Sequence, residues 1–201
     1  MNIAPDQMIA DAKREGEQAW GRLLELYRNY LSLLARMEVG QRLQRKLDAS
    51  DLVQETFLDA HRNFASFEGR TEAQFLAWLR TILAGKVANT IRHYVGTQGR
   101  DIRLEQELSA SFDLSALRLD KLATASVASP SQQAIRREQS VLMADMLQRL
   151  PEDYREVILL RHWEELSFPD IARRMKRTVD SVEKLWVRAL ARLRQVVGET
   201  R

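Results

Sequence analysis

The sequence predicts an all-α protein made of two small helical domains joined by a flexible linker. Three observations predict it. Apolar residues recur at three- and four-residue spacing in Trp20–Leu34, Phe75–Ile82 and Val179–Val197. Helix starts are written into the chain at Asp48, Pro151, Ser167 and Thr178. Between the helical segments, residues 96–135 shift to Gly, Arg and then a Ser/Ala-rich tract, the composition of a linker.

Bulk properties bound the class. A chain of 201 residues has room for one large or two small domains, each able to bury its own core. Apolar content of 45% and charged content of 29% are ordinary for a soluble globular protein. The net charge of +3 and pI near 9.4 point only weakly to a polyanionic partner. The absence of cysteine excludes disulfides and cysteine-ligated zinc or iron–sulfur centres. No apolar run is long enough to span a bilayer and no signal peptide opens the chain, so a cytoplasmic protein with no membrane insertion is expected.

Taken in order, residues 1–15 are polar and expected to be mobile. Trp20, Leu23, Leu24, Tyr27, Leu31 and Leu34 mark the first amphipathic helix. The next runs from Lys46 to Asp59, with Asp48 as N-cap and acids where the helix dipole favours them. Leu47, Leu52, Phe57 and Phe64 are available to its core side. Asp48, Asp51, Glu55 and Asp59 carry no opposing base between them. Two readings fit: an acidic solvated face, or a docking surface for a basic partner.

Ser66–Thr71 reads as a polar loop with one glycine. Phe75, Trp78, Leu79 and Ile82 open a third helix that runs to about Val95. At 100° per residue, Lys86, Asn89, Arg92 and His93 fall on the side those four residues occupy earlier, with Gly85 at the changeover. A helix that meets a polar ligand would look like this, and so would one that runs out into water. The linker that follows has room for one short helix, around Leu104–Leu108 or Leu114–Leu122. A helix from about Ser131 to Arg149 then leads into the last segment, and no internal repeat is present.

Leu150–Arg194 carries the strongest pattern. Pro151, Glu152 and Asp153 start one helix, and Ser167 with Asp170 has capping-box spacing for the next. That helix places Phe168, Ile171, Ala172 and Met175 on one face. Lys176 and Arg177 then separate it from Thr178, the N-cap of the last helix. The last helix has an apolar stripe of Val179, Val182, Trp186, Leu190, Leu193 and Val197, opposed by Ser181, Lys184, Arg188, Arg192 and Gln195. A short helix, a tight turn and a helix with one buried and one basic face describe a helix-turn-helix. Ile171–Arg194 alone carries +6, twice the charge of the whole chain. That concentration points to DNA.

Asp51-Leu-Val-Gln-Glu-Thr-Phe57 and Phe75-Leu-Ala-Trp-Leu79, followed by Leu150–Val157, Leu166–Ala172 and the helix after it, resemble bacterial sigma factors. The resemblance is to the extracytoplasmic-function (ECF) type of the sigma-70 family, and within it to a planctomycete-like subgroup. It implies a region 2 domain over residues 10–97, a linker over 98–135 and a region 4 helix-turn-helix domain over 136–197. It further implies binding to core RNA polymerase and recognition of promoter DNA, with an anti-sigma factor or other regulator acting in trans. Asp48, Asp51, Leu52, Gln54 and Glu55 fall at the core-polymerase-binding positions. Arg80, Lys86, Asn89, Arg92 and His93 fall in the stretch that melts and reads the minus-ten element, and the loop Ser66–Thr71 where relatives hold a flipped base. Arg177, Thr178, Ser181, Lys184 and Arg188 fall at the minus-35 contacts.

Three positions depart from the family pattern. Lys176 stands where the turn commonly has glycine, so either lysine takes a left-handed backbone or the turn differs. Glu183 and Leu185 replace residues often basic, and Gly85 stands where asparagine is frequent. No cofactor, metal or catalytic residue is expected: His61, His93 and His162 are scattered, with no HExxH, Gly-rich phosphate loop or nucleophile elbow. The competing readings are a stand-alone dimeric helix-turn-helix regulator and, against the +6 segment, a protein-interaction module. Because the chain closes soon after the last helix, no C-terminal regulatory domain is expected.

Overall fold

The computed structural model describes residues 4–42, 48–95, 102–126 and 139–199, and every regular element among them is a helix. None of these helices is long and apolar enough to cross a membrane. The described residues divide between Ala116 and Leu117 into two compact units.

The first unit begins earlier than expected. Helix α1 spans Pro5–Glu15, with proline in its first turn beside Asp6, Lys13 and Arg14 in its last, and Ile9 and Ala12 buried. These are the residue types that suit each end of a helix dipole. The few apolar residues of this polar segment sit one turn apart and are enough to dock it. Gly16, at φ 80°, turns the chain into α2, Glu17–Glu25.

The single helix expected over Trp20–Leu34 is two, because α3 starts afresh at Arg28 and runs to Arg42. The apolar spacing survives the break: Leu23, Tyr27, Tyr30, Leu31 and Leu34 are all fully buried. Buried Tyr27 donates its hydroxyl hydrogen bond to Glu72 at 3.1 Å, which satisfies its polar end inside the core.

Helix α4, Ala49–Asn63, is capped by Asp48, whose side chain accepts from the Ser50 backbone N–H at 2.9 Å. A 3-10 turn over Phe64–Ser66 and the loop after it lead into α5, Glu72–Val95. Leu76, Leu79, Leu83 and Val87 are wholly buried along α5. Phe75 and Leu79, two of the four residues read as core, belong to this buried stripe, which continues past Gly85, while Trp78 and Ile82 are half-buried at its edge. On the side where Phe75, Trp78, Leu79 and Ile82 lie, Asn89 and His93 are exposed beyond Gly85, so the expected change from core to polar is present on that side.

Where a linker with at most one short helix is expected, the structure has the 25-residue helix α6, Ile102–Ser126. Leu108, Phe112, Leu119 and Leu122 are buried along it at helical spacing, a signal diluted in the sequence by the intervening Ser, Ala and charged residues. Its first half belongs to the first unit, where Ser111 donates to Glu38. Its second half belongs to the second unit, where Arg118 donates to the Trp163 carbonyl at 2.7 Å.

The second unit continues with α7, Gln139–Gln148; α8, Glu152–His162; α9, Phe168–Met175; and α10, Val179–Glu199. The helix expected from Ser131 is described only from Gln139 onward; residues 131–138, like Leu47, lie outside the described residues. The core gathers Val141, Leu147, Val157, Ile158, Ile171, Val182, Ala189 and Leu193.

Candidate functional site

Asp51, Gln54 and Glu55 are exposed on one face of α4, where the three- and four-residue steps place them together. Leu58 extends that face one turn further and is 52% exposed. The sequence reading did not single it out, although its position seven residues after Asp51 would have found it. Leu52 is 2% exposed and belongs to the bundle core with Val53, so it supports this face from behind rather than forming part of it. Asp48 is exposed and occupied as the cap of the helix.

The five polar residues singled out on α5 separate into two groups. Arg80 donates to the Tyr30 hydroxyl at 3.0 Å and to Asp113 at 2.7 Å. Burial works against its charge, but Tyr30 and Asp113 outweigh it and raise the Arg80 pKa. Lys86 lies 2.5 Å from Asp59 and 3.9 Å from Glu55, which ties α5 to α4. These two cations therefore hold the first unit together. Asn89, Arg92 and His93 cluster at the far end of α5, where Arg92 donates to Asn89 and lies 3.8 Å from Glu105. Asn89 and His93 are exposed.

The loop between α4 and α5 rests on a cluster of rings. Phe67 stacks on Trp78 with centroids 4.8 Å apart, and Phe64 lies 4.0 Å from Trp20. Gln74 closes the loop on itself by accepting from the Arg70 N–H at 2.8 Å and the Thr71 N–H at 3.3 Å. Glu68 and Arg70 face outward. Gly69 is required by close approach, because a Cβ there would fall 2.3 Å from the Phe67 ring.

In the second unit α9 and α10 form the helix-turn-helix. The Ser167 hydroxyl oxygen accepts from the Asp170 N–H at 3.3 Å, and Ser167 donates to the Asp170 carboxylate. With Arg173 also beside it, that contact holds the Asp170 pKa below the usual aspartate value. Lys176 adopts φ 54°, ψ 47°, so lysine does take the left-handed backbone that the turn asks of glycine. The Arg177 N–H reaches the Ala172 carbonyl at 2.9 Å and the Lys176 N–H reaches Arg173 at 3.3 Å, the paired bonds of a Schellman end.

On α10 the buried stripe is Val182, Leu185, Ala189, Leu193, Val196 and Val197, while Val179 is 39% exposed. Leu185 is thus a core position, not a lost basic contact. Trp186 lies at the edge, 5.2 Å from the His162 ring and 6.3 Å from Phe168, and sets α10 against α8 and α9. Burial, with Arg161 adjacent, lowers the His162 pKa.

Of the five candidates in this unit, Lys184 and Arg188 project from the exposed face one turn apart. Lys184 reaches Asp180 at 2.8 Å in a solvent-exposed pair, which binds it weakly. Arg177 pairs with Asp153 at 2.5 Å, and Thr178 caps α10 by accepting from the Ser181 N–H at 3.3 Å. Ser181 is half-buried. Val187, 65% exposed between Lys184 and Arg188, completes the face and was missed by a reading that looked for charge.

Each unit contains a stretch that matches a known family of sequence. A model for sigma-70 region 2 matches residues 25–95, and one for sigma-70 region 4 matches residues 140–193. The chain is 30% identical over 190 residues to the ECF RNA polymerase sigma-E factor of Haemophilus influenzae, covering 92% of this chain and 90% of that protein. It is 28% identical over 189 residues to the ECF RNA polymerase sigma-E factor of Escherichia coli K12, with coverage of 92% and 90%. Among solved structures it resembles CnrH in complex with the cytosolic domain of CnrY, at 23% identity and a TM-score of 0.38, covering 99% of this chain and all of that one.

Proposed function

The chain belongs to the ECF sigma factors of the sigma-70 family, and on that premise we propose how its surfaces divide the work. It is a sigma factor: it binds core RNA polymerase and directs promoter-specific initiation by recognising minus-35 and minus-ten elements. The observation that carries the division of work is the presence, in one chain, of an acidic exposed face on α4 and a basic exposed face on α10. The chain works by binding rather than by catalysis, with no cofactor, and acts in the cytoplasm.

The α4 face of Asp51, Gln54, Glu55 and Leu58 docks on a basic surface of the polymerase, with Asp48 capping the helix and Leu52 fixing it from inside. Asn89, Arg92 and His93 contact the minus-ten strand, and the loop Ser66–Thr71 receives a base flipped from it. Opening duplex costs a few kcal/mol per step, so capture of the displaced strand by cationic and stacking groups must offset that cost. Arg80 and Lys86 contribute by holding the helix that presents these groups. Lys184 and Arg188 enter the major groove of the minus-35 element, where a cation on a guanine edge specifies sequence. Val187 suits a thymine methyl. Arg177, Thr178 and Ser181 position the helix end near phosphate.

Docking on polymerase fixes the separation of the two readers, so the second binds at high effective concentration once the first has engaged. The family domains are taken to lie within 10–97 and 136–197, and α1 and α6 extend the compact units beyond those limits. The planctomycete-like subgroup and control by an anti-sigma factor or other regulator in trans complete the reading. Fluorescence anisotropy of promoter duplex with this protein alone, core polymerase alone and both together tests it: tight specific binding is expected only with both.

A further inference from the structure

We propose that Lys13 is a positioning residue for minus-ten reading, holding the loop Ser66–Thr71 in the shape that receives a base; this rests on the reading of that loop given above. The loop's own bonds fix its C-terminal half through Gln74 and its start through the Phe67–Trp78 stack. Its tip is held from outside. Lys13 Nζ donates to the Gly69 carbonyl at 2.8 Å, from a helix 56 residues earlier in the chain. The same ammonium lies 5.0 Å from the Phe67 ring centroid.

One cation thus engages both the loop's backbone and the ring against which that backbone packs. A second tie from the same helix reaches the end of the loop, where Asp6 accepts the Glu72 N–H at 2.8 Å. Helix α1 therefore grips the loop at Gly69 and at Glu72, and Glu68 and Arg70 on either side of Gly69 take their direction from that grip. Freed of Lys13, the tip keeps its sequence and its stacking floor but not its fixed carbonyl. A receiving site loosened by about an ångström loses selectivity before it loses affinity.

The test uses holoenzyme assembled from core polymerase and the full chain, on a promoter it initiates from, with each minus-ten position carrying each of the four bases. Lys13→Ala is expected to flatten discrimination at one position, on the order of tenfold, with core affinity and minus-35 preference unchanged. Lys13→Arg, which keeps a donor and a cation over the ring, is expected to restore most of it. Gly69→Ala, which drives a Cβ into Phe67, serves as the control on the loop itself. If Gly69→Ala alters the profile while Lys13→Ala scales every base alike or changes nothing, Lys13 has no positioning role. If neither variant alters the profile, the loop does not read a base and the inference falls with that reading.

Discussion

Lys86 of α5 and Asp59 of α4 meet at 2.5 Å, with their side chains only 18% and 30% exposed. The pair is too shielded to count as an ordinary surface bridge. It joins α4, proposed above to dock on polymerase, to α5, proposed to meet the minus-ten strand, and Glu55 lies 3.9 Å from the same ammonium. Lys86, expected from the sequence to meet DNA, is also a brace between α4 and α5.

Removing the brace should therefore show first in stability. Lys86→Ala is expected to destabilise the first unit by about 1–2 kcal/mol, between the values for exposed and fully buried pairs, because Asp59 loses its partner. Urea unfolding checks this. Unchanged stability with impaired promoter opening would return Lys86 to the role of a DNA contact.

Reversing charge on the α4 face should act mainly on assembly, because Asp59 keeps the close contact to Lys86 while Glu55 lies 3.9 Å away. Asp51→Arg with Glu55→Arg is expected to abolish capture by core polymerase in a pull-down while the helical circular dichroism stays unchanged, since both side chains are exposed. Retained capture would remove the docking assignment.

The turn of the helix-turn-helix holds a measurable cost. Lys176 at φ 54° occupies a region that disfavours a Cβ. Lys176→Gly relieves this and gives back part of the gain through the unfolded chain, for a net stabilisation of about 0.5–1 kcal/mol. A thermal melt that moves downward would show that the lysine side chain contributes more than its backbone costs.

The basic face of α10 should carry sequence preference. Lys184→Ala or Arg188→Ala is expected to weaken minus-35 recognition by roughly 1–3 kcal/mol if the contact is to a base, and to relax preference at one position. A uniform loss across all sequences, with a shallower salt dependence, would place the residue on phosphate instead.

The helix-turn-helix was legible because each of its signals is local: a cap, a two-residue turn and a stripe within one helix. Ser167, Thr178 and the left-handed Lys176 all fall where the spacing put them. Helix α6 was not, because Leu108, Phe112, Leu119 and Leu122 are separated by Ser, Ala and charged residues that also suit a linker. Helix α1 hid for a related reason, since only Pro5, Ile9 and Ala12 are buried along it. Within the site, charge alone could not divide Arg80 and Lys86 from Asn89 and His93. Their partners Tyr30, Asp113 and Asp59 come from other helices, and only the packing brings them within reach.

This chain makes core polymerase initiate at promoters that it selects through minus-35 and minus-ten elements. In vitro transcription with purified core RNA polymerase, with and without this protein, on a library of promoter fragments tests it most directly. Initiation that depends on the protein and converges on a shared two-part motif is the expected result. No initiation, together with tight polymerase-independent binding to a palindrome, would contradict the account and make the protein a dimeric regulator.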